Sequence, residues 1–422
     1  MAQQKLNSPY ALSAETYFAI RKVGSVMETQ SQKKRRYLSG LPSSRHFWYF
    51  MVGIGVSTFA RTTIDPFLPV FLNRDLGISV GAVSVLFFAS GILGTVSVFF
   101  LGWLLDRFGR KLIYIFGNSA RVLVPTALTR LTTFGQLLPL MSLSGVMESA
   151  ERSSSNTIIA DQVEEGKRNT GFGISRIIGN AAWIVAPLIG GVLLAERGFS
   201  QLFIVSAILG LAGFALFIGL VPESRKTGLD KPSLPKISVL RDRELLVLCV
   251  ASLFSMLFYV QFYALLPIFA AQVRNLTEFE IGLLFSVSGM TVVALQLPTS
   301  KWLERVPKKT GYILGVLIMA VGITGLALAP SFLWLLFAVV IMTLGENMFF
   351  PIASALVAEI APEAERGTYF GAFSLFLSIG GNVSPLLGGT IWQISGDPLL
   401  PWLLSPIYAG ISVGLALLLR KR

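Results

Sequence analysis

The ten residues Gly102-Trp103-Leu104-Leu105-Asp106-Arg107-Phe108-Gly109-Arg110-Lys111 lie between two long apolar runs and predict a tight turn of the chain. Gly109 permits the positive φ that a short reversal needs. Arg107, Arg110 and Lys111 favour the cytoplasmic side of a membrane. Asp106 can pair with these cations or with a helix N-terminus. Because the chain becomes apolar again directly after the turn, this segment predicts a protein that crosses a membrane repeatedly.

The composition agrees with a membrane location. Of the 422 residues, 53% are hydrophobic and 14% are charged, whereas soluble domains carry about 25% charged residues. Apolar runs of about 20 residues are long enough to cross a bilayer as helices. Twelve such runs follow one another, at about 47–72, 79–105, 111–131, 134–160, 170–195, 200–221, 244–272, 278–303, 309–329, 332–358, 367–393 and 398–419. We therefore predict an all-α membrane protein with twelve transmembrane helices.

The positive charge is distributed unevenly along this topology. With the N-terminus inside, the cytoplasmic segments hold 27 of the 35 Lys and Arg residues, and the outer loops hold only Arg74, Arg130, Arg197 and Arg274. This asymmetry follows the positive-inside rule and predicts that both termini are cytoplasmic. It also predicts contact with anionic lipid headgroups. The net charge of +12 therefore needs no nucleic-acid partner, and we expect a protein of the cell membrane.

Several kinds of chemistry have little support in the sequence. Cys249 and His46 are the only residues of their types, which excludes a Cys/His metal cluster but not a carboxylate site. The sequence contains no Walker A motif and no evident nucleophile–base pair. We expect neither an enzyme nor a cofactor. Residues 1–46 lack a signal-peptide core and read as a cytoplasmic tail, with Met1 and Met27 both open as the start.

An internal repeat divides the chain. A shift of 198 residues places charged, Pro, Gly and Phe positions on identical partners: Pro69 on Pro267, Phe87 on Phe285, Gly91 on Gly289, Arg107 on Arg305, Glu148 on Glu346, Arg168 on Arg366 and Pro187 on Pro385. Because the shift covers six helices, an even number, the repeats are parallel. The predicted units are a bundle at 47–221, a cytoplasmic linker at 222–243 and a bundle at 244–422.

The basic turn and the parallel six-helix repeats resemble the major facilitator superfamily. The resemblance implies that family's fold, a secondary transporter working by alternating access, and a conformational-switch role for the turn from Gly102 to Lys111. Helix 5 carries Gly173, Pro187, Gly190 and Gly191, which resemble the antiporter motif of the family's drug and proton exporters. A structural bend is the alternative role for these residues, since Pro and Gly bend membrane helices and let neighbours approach. We expect a monomer.

Polar residues form stripes on the four helices that line the cavity in the resembled fold. Ionisable groups are costly inside a membrane and so mark cavities or partners. The predicted cavity residues are Arg61 and Asp65 of helix 1, Glu148, Glu151 and Arg152 of helix 4, Tyr259 and Tyr263 of helix 7, and Glu346 and Asn347 of helix 10. These charges either pair to hold the bundle together or include a carboxylate that takes up and releases a proton.

Asp65 is the first candidate for such a carboxylate, because Pro66 and Pro69 follow it and a bend there can move it. Glu148 and Glu346 are the next candidates. Mixed charge and many aromatic residues favour proton-coupled export of a small amphiphilic or drug-like solute. The alternatives are an importer of a small polar or anionic metabolite, held by arginines such as Arg61, and a non-transporting membrane sensor.

Overall fold

The computed structural model describes residues 42–223, 239 and 241–420. The predicted N-terminal tail lies almost wholly outside these residues, together with the question of Met1 or Met27 as the start. Most of the predicted linker at 222–243 lies outside them as well. Within the described residues the regular secondary structure is entirely helical, as the sequence predicts.

Six helical segments form the first half. They are α1 (Arg45–Ile64, continued by Leu68–Val70 and a π-helical turn Phe71–Asp75), α2 (Val80–Phe108), α3 (Arg110–Asn118 and Ala120–Leu128), α4 (Phe134–Gln162), and α5 and α6, which share the helical stretch Arg168–Leu220. Gly198 separates α5 (168–197) from α6 (199–220), because its φ of 77° and ψ of 176° are not helical. The predicted outer loop near Arg197 is therefore a single tight reversal.

Six more segments form the second half. They are α7 (Arg243–Tyr259, Gln261–Ala264 and Leu266–Gln272), α8 (Glu278–Leu303), α9 (Lys308–Leu328), α10 (Phe332–Ile360), α11 (Arg366–Ser395) and α12 (Leu400–Leu403 and Ser405–Leu417). Ten of these twelve segments, in five pairs, begin 198 residues from their counterparts' starts, as α2 at Val80 and α8 at Glu278 do. Gly198 and Gly396 both have positive φ. The structure thus confirms the twelve-helix fold and its parallel repeat.

Local chemistry explains where these helices begin and break. Ser79 caps α2 by accepting a hydrogen bond from the backbone N–H of Ala82, and Thr277 caps α8 in a box with Glu280. Gly109 reverses the chain between α2 and α3 with a φ of 91°. Pro69 and Pro267 stand near the first residue of the short helices that follow the breaks in α1 and α7, where a missing N–H costs little.

The two halves meet along two symmetric helix pairs, α2 with α11 and α5 with α8. We name the two ends of the bundle by their residues: the Arg74 face bears Arg74, Gly198 and Glu278, and the Asp106 face bears Asp106, Gln162 and Leu303. At the Arg74 face, Arg74 Nη1 donates to Glu278 Oε1 at 3.0 Å across the interface. Farther in, Asn382 Nδ2 donates to Thr95 Oγ1 at 2.8 Å.

Toward the Asp106 face, side chains on α5 and α8 are much more exposed. Ile177 of α5 is 68% exposed and Leu297 of α8 is 72% exposed. Near the Arg74 face the same two helices touch closely, since Gly191 packs on the backbone of Glu278 and Gly282 packs on Pro187. Small residues permit such close approach of membrane helices. The pair is therefore tightly packed near the Arg74 face and more exposed toward the Asp106 face.

Candidate functional site

A cavity of about 250 Å³ lies where the two halves meet. The half that runs from α1 to α6 contributes its charged wall, with Arg61, Asp65, Arg121 and Glu148. The other half contributes Tyr263 and Phe285, and Trp183 of α5 lies against both of them with ring centroids 5.9 and 6.2 Å apart. The cavity thus has one charged wall and one aromatic wall.

Arg61 organises the charged wall. Its Nε lies 3.4 Å from Asp65 Oδ2, one turn along α1, and its Nη1 lies 3.6 Å from Glu148 Oε2 on α4. Asp65 occupies the end of the main α1 helix, just before the chain breaks at Pro66. The structure therefore brings together Arg61, Asp65 and Glu148, three of the residues that the sequence predicts to share a cavity.

Arg121 of α3 links the charged wall to Glu151. It is only 9% exposed, and its Nη1 lies 3.3 Å from Glu148 Oε1, while its Nη2 pairs with Glu151. Asn118 Nδ2 also donates to Glu151 Oε1, at 3.2 Å. The predicted cavity residues include neither Arg121 nor Asn118. The sequence does place Arg121 inside an apolar helix. A charged residue there is expected to have a partner, but the sequence does not identify which residue it is.

Arg152 stands apart from these pairs. Its side chain is exposed, and within the described ranges it makes no ion pair, although it feels the charges of Arg61, Glu148 and Glu151. It follows Glu151 on α4 toward the Asp106 face. A guanidinium in this position can meet an anionic group that enters from that face.

Of the two predicted residues of α7, Tyr263 belongs to the aromatic wall, and Tyr259 contacts it from outside the cavity lining. The hydroxyl oxygens of Tyr259 and Tyr263 lie 3.1 Å apart. Glu346 of α10 lies beside Tyr259. Asn347 is buried and donates from Nδ2 to the backbone oxygen of Thr291 at 3.4 Å, so its contact is with α8 and not with the cavity.

The basic turn forms a separate polar cluster at the Asp106 face. Arg110 is 3% exposed, with its Nη2 3.6 Å from Asp106 Oδ1 and its Nε 3.4 Å from Asp161 Oδ2. Glu223 accepts hydrogen bonds from the backbone N–H groups of Arg110 and Lys111, at 2.9 and 3.1 Å. A carboxylate at a helix N-terminus is electrostatically favourable. The cluster thus ties α2, α3, α4 and the end of α6 together.

The remaining turn residues have simpler surroundings. Arg107 lies over the ring of Trp103 with its Cζ 5.1 Å from the centroid. Lys111 Nζ donates to the backbone oxygen of Ile218 at 2.9 Å. Gly102 faces open space. Stacking of an arginine on an indole suits a side chain at a membrane surface.

The predicted residues of helix 5 have different environments. Gly190 packs against the backbone oxygen of Thr63 in α1, Gly191 packs against α8, and Gly173 faces open space. In the stretch Arg168–Leu220 the backbone leaves helical values at Gly198, not at Pro187. The small residues Gly190 and Gly191 therefore provide close approach to two neighbouring helices.

The described part of the chain contains no group of three or more His, Cys, Asp or Glu side chains arranged to hold a metal ion. The carboxylates of the charged wall are instead matched by arginines. An arginine between two carboxylates, as Arg61 is, can strengthen one ion pair as the other weakens. It loses one ion pair when one of the carboxylates becomes protonated.

A family model described as Major Facilitator Superfamily matches residues 50–290 and 263–422. The Na(+), Li(+), K(+)/H(+) antiporter of Planococcus maritimus is 24% identical, covering 76% of this chain and 84% of its own. The quinolone resistance protein NorA of Staphylococcus aureus (strain MSSA476) is 23% identical, covering 88% and 93%. The crystal structure of the nucleoside transporter NupG has a TM-score of 0.75 at 15% identity, covering 89% and 98%.

Proposed function

The chain belongs to the Major Facilitator Superfamily and is a multi-pass membrane transporter of a small molecule, and we propose that it exports an amphiphilic or drug-like solute in exchange for protons. It is a transporter and not an enzyme. The observation that carries the proposal is the position of Arg61 between Asp65 and Glu148 at the wall of the central cavity. This contact links a movable carboxylate to a network that spans three helices.

Asp65 is the proton-carrying group of the proposed mechanism. It lies at the end of Arg45–Ile64, where the helix stops and a short segment, Leu68–Val70, follows. When Asp65 takes up a proton it loses its ionic contact with Arg61, which keeps its contact with Glu148. When Asp65 releases the proton, the contact with Arg61 forms again. Each protonation state thus favours a different arrangement of α1 against α4.

The unlike walls of the cavity support an amphiphilic solute. A polar or charged group of the solute would face Arg61, Asp65 and Glu148, and an apolar or aromatic part would face Tyr263 and Phe285. Binding pockets for small molecules combine apolar lining with a few polar groups in this manner. Because Asp65 and Glu148 are already paired with arginines, a solute group must displace one of those contacts, and a proton arriving at Asp65 does the same.

The open end of the cavity supports the direction of access. The halves are in contact at the Arg74 face through Arg74 and Glu278, whereas α5 and α8 expose Ile177 and Leu297 toward the Asp106 face. The positive-inside rule assigns the basic turn, and with it the Asp106 face, to the cytoplasm. We therefore interpret this conformation as open to the cytoplasm, with both termini on that side of the plasma membrane. We also propose that the working unit is a monomer.

The relatives support exchange with protons. One is named an antiporter of Na(+), Li(+) and K(+) with H(+), and another is named for quinolone resistance. Import of a small anionic metabolite is the second candidate. The exposed Arg152, which makes no ion pair within the described residues, favours that candidate because a free guanidinium binds carboxylate or phosphate.

A ligand screen by thermal shift tests the proposed function first. A molecule that binds only the folded protein raises its unfolding temperature. We expect fluorescent quinolones to stabilise the purified protein and small organic anions not to do so. In inside-out vesicles, the stabilising compound should accumulate and an uncoupler should abolish its accumulation. Stabilisation by anions alone, with their uptake into right-side-out vesicles, would favour the importer. Binding with no flux in either orientation would favour a sensor.

A further inference from the structure

A pair of hydroxyl groups leads out of the cavity into the half that runs from α7 to α12. Tyr263 lines the cavity, and its hydroxyl oxygen lies 3.1 Å from that of Tyr259, one turn back along α7. Tyr259 in turn lies beside the carboxylate of Glu346 on α10. The three side chains therefore follow one another from the cavity to Glu346.

Glu346 differs from the carboxylates of the charged wall. Asp65, Glu148 and Glu151 each form an ion pair with an arginine. Glu346 forms none within the described residues, and its buried Oε2 has no hydrogen-bond partner there. A charged carboxylate inside a membrane is costly without a partner, so this position favours a group that binds a cation or a proton.

The groups that face Glu346 are few. Tyr259 and Tyr263 approach it from α7, and Arg176 acts on it electrostatically from α5 in the other half, without forming an ion pair. Of the described side chains, Tyr259 and Arg176 have the largest influence on this carboxylate. Its protonation thus depends on access through the two tyrosines and on the distance to Arg176.

We propose that Glu346 is a second proton-binding group of the transporter and that protons reach it from the central cavity through the hydroxyls of Tyr263 and Tyr259. A proton from cavity water joins the Tyr263 oxygen as the Tyr263 proton passes to the Tyr259 oxygen. At the same time the Tyr259 proton passes to a carboxylate oxygen of Glu346. Both tyrosines end neutral, the hydronium ion of the cavity that gave up the proton is left as water, and Glu346 holds the proton as a neutral carboxylic acid.

The chemistry of tyrosine suits this transfer. A phenolic hydroxyl both donates and accepts a hydrogen bond, and either oxygen can be the donor in the Tyr259–Tyr263 contact. The rings are held by their neighbours: Phe262 packs edge-on against Tyr263 with centroids 5.0 Å apart, and Phe350 packs against Tyr259 at 5.6 Å. Packed rings keep the two hydroxyls at hydrogen-bonding distance.

The inference rests on the proposed proton coupling but can fail separately from it. If Asp65 alone carries protons, the transporter remains proton-coupled and Glu346 is a structural residue. If both carboxylates bind protons, each transport cycle moves one proton more than Asp65 supplies. A measurement of the protonation of Glu346 itself therefore distinguishes the two cases, and it can be made without knowing the solute.

Infrared difference spectroscopy of the full-length protein in lipid discs, between neutral and acidic pH, tests the proposal. A protonated carboxylic acid in an apolar site has its own carbonyl band. We expect the wild-type spectrum to contain a band that Glu346→Gln removes. Glu346→Asp should keep an acid band at a shifted frequency, which preserves the test if the amide variant does not fold. Glu304→Gln, the same change at an exposed position of the Asp106 face, should leave this band unchanged.

The rate of protonation tests the path. After a rapid drop in pH, Tyr259→Phe and Tyr263→Phe should keep the band but slow its appearance by about 100-fold, the low end of what a positioned proton donor contributes. A band unaffected by both Glu346 variants would overturn the second site. A band that Glu346→Gln removes, but that appears at the wild-type rate in both Phe variants, would overturn the path through the tyrosines.

Discussion

Arg61 Nη1 in α1 lies 3.6 Å from Glu148 Oε2 in α4, and this contact joins the broken helix of the first half to the buried network around Arg121. A change in the charge of Asp65, one turn from Arg61, therefore acts on α4 as well as on α1. Coupling between sites requires an element with two arrangements that both sites favour differently. The Arg61 guanidinium is the proposed element here.

The basic turn provides a test with a matched control. Asp106→Asn removes the contact with Arg110, whereas Glu304→Gln makes the same kind of change at the position 198 residues later, where the side chain is exposed. We expect Asp106→Asn to reduce flux per molecule about fivefold or more, with protein abundance little changed. Flux is measured in vesicles and abundance by immunoblot. Equal effects of both substitutions would mean that the turn is only a loop.

Close packing of α5 predicts unequal tolerance of its glycines. A Cβ added at Gly190 would overlap the backbone oxygen of Thr63, whereas one added at Gly173 would meet open space. Overpacking costs about 1–3 kcal/mol, so Gly190→Ala should lower the unfolding temperature and Gly173→Ala should not. Thermal unfolding in detergent measures both. A stable Gly190→Ala variant would contradict the close contact between α5 and α1.

The ion pair at the Arg74 face predicts a shift in access. Arg74→Glu opposes Glu278 with a like charge and should favour opening at that face, and the swap Arg74→Glu with Glu278→Arg should restore closure. An exposed pair is worth about 0.2–1 kcal/mol, so the change in population is several-fold at most. The opening is measured in a Cys249→Ala background with a cysteine introduced in the cavity, Ser144→Cys. An impermeant thiol reagent added outside should label this cysteine faster when the Arg74 face is open. Unequal rates in the swap and the parent would refute the pairing.

The membrane orientation predicts the location of two reporters. A reporter fused after Arg225 should be cytoplasmic, and one fused after Arg197 should be external. The loops on the Arg225 side carry most of the Lys and Arg residues, which predicts that this side is the cytoplasmic one. An alkaline phosphatase fusion, active outside, and a green fluorescent protein fusion, fluorescent inside, measure the two positions. Finding both reporters on one side would overturn the topology.

The fold was predictable from the sequence because apolar length alone decides which segments cross a bilayer. The predicted run at 332–358 became α10 at Phe332–Ile360, and the run at 79–105 became α2 at Val80–Phe108. The breaks within α3 and α7 were not predicted, since single helical turns such as Gln261–Ala264 are decided by tertiary packing. The repeat was visible because the Pro, Gly and charged positions recur at one spacing.

The charged site was predictable only in part: the sequence indicated Arg61, Asp65 and Glu148, but not Arg121 and not the contacts between helices. Arg61 with Asp65 follows from their spacing along one helix. The contacts of Arg121 with Glu148 and Glu151 depend on how α3 and α4 are rotated against each other, which no spacing in the sequence reveals. The same holds for Glu223, which lies far along the chain from Arg110 and caps its helix from the end of α6.

The central claim is that Asp65 couples proton movement to solute movement through the cavity. If this is correct, Asp65→Asn resembles the protonated state permanently, so the variant should bind solute and exchange it across the membrane but should not concentrate it. Glu148→Gln, which changes a carboxylate of the same network, is the matched comparison, and Asp106→Asn tests the basic turn separately.

The most direct measurement is accumulation of a fluorescent quinolone in proteoliposomes with an imposed pH gradient, acidic inside. We expect uphill accumulation by the wild type, abolished by an uncoupler, and no accumulation by Asp65→Asn, which still exchanges labelled for unlabelled compound. Uphill accumulation by Asp65→Asn at the wild-type level, with loss of accumulation only in Glu148→Gln, would contradict the assignment and place the proton on α4.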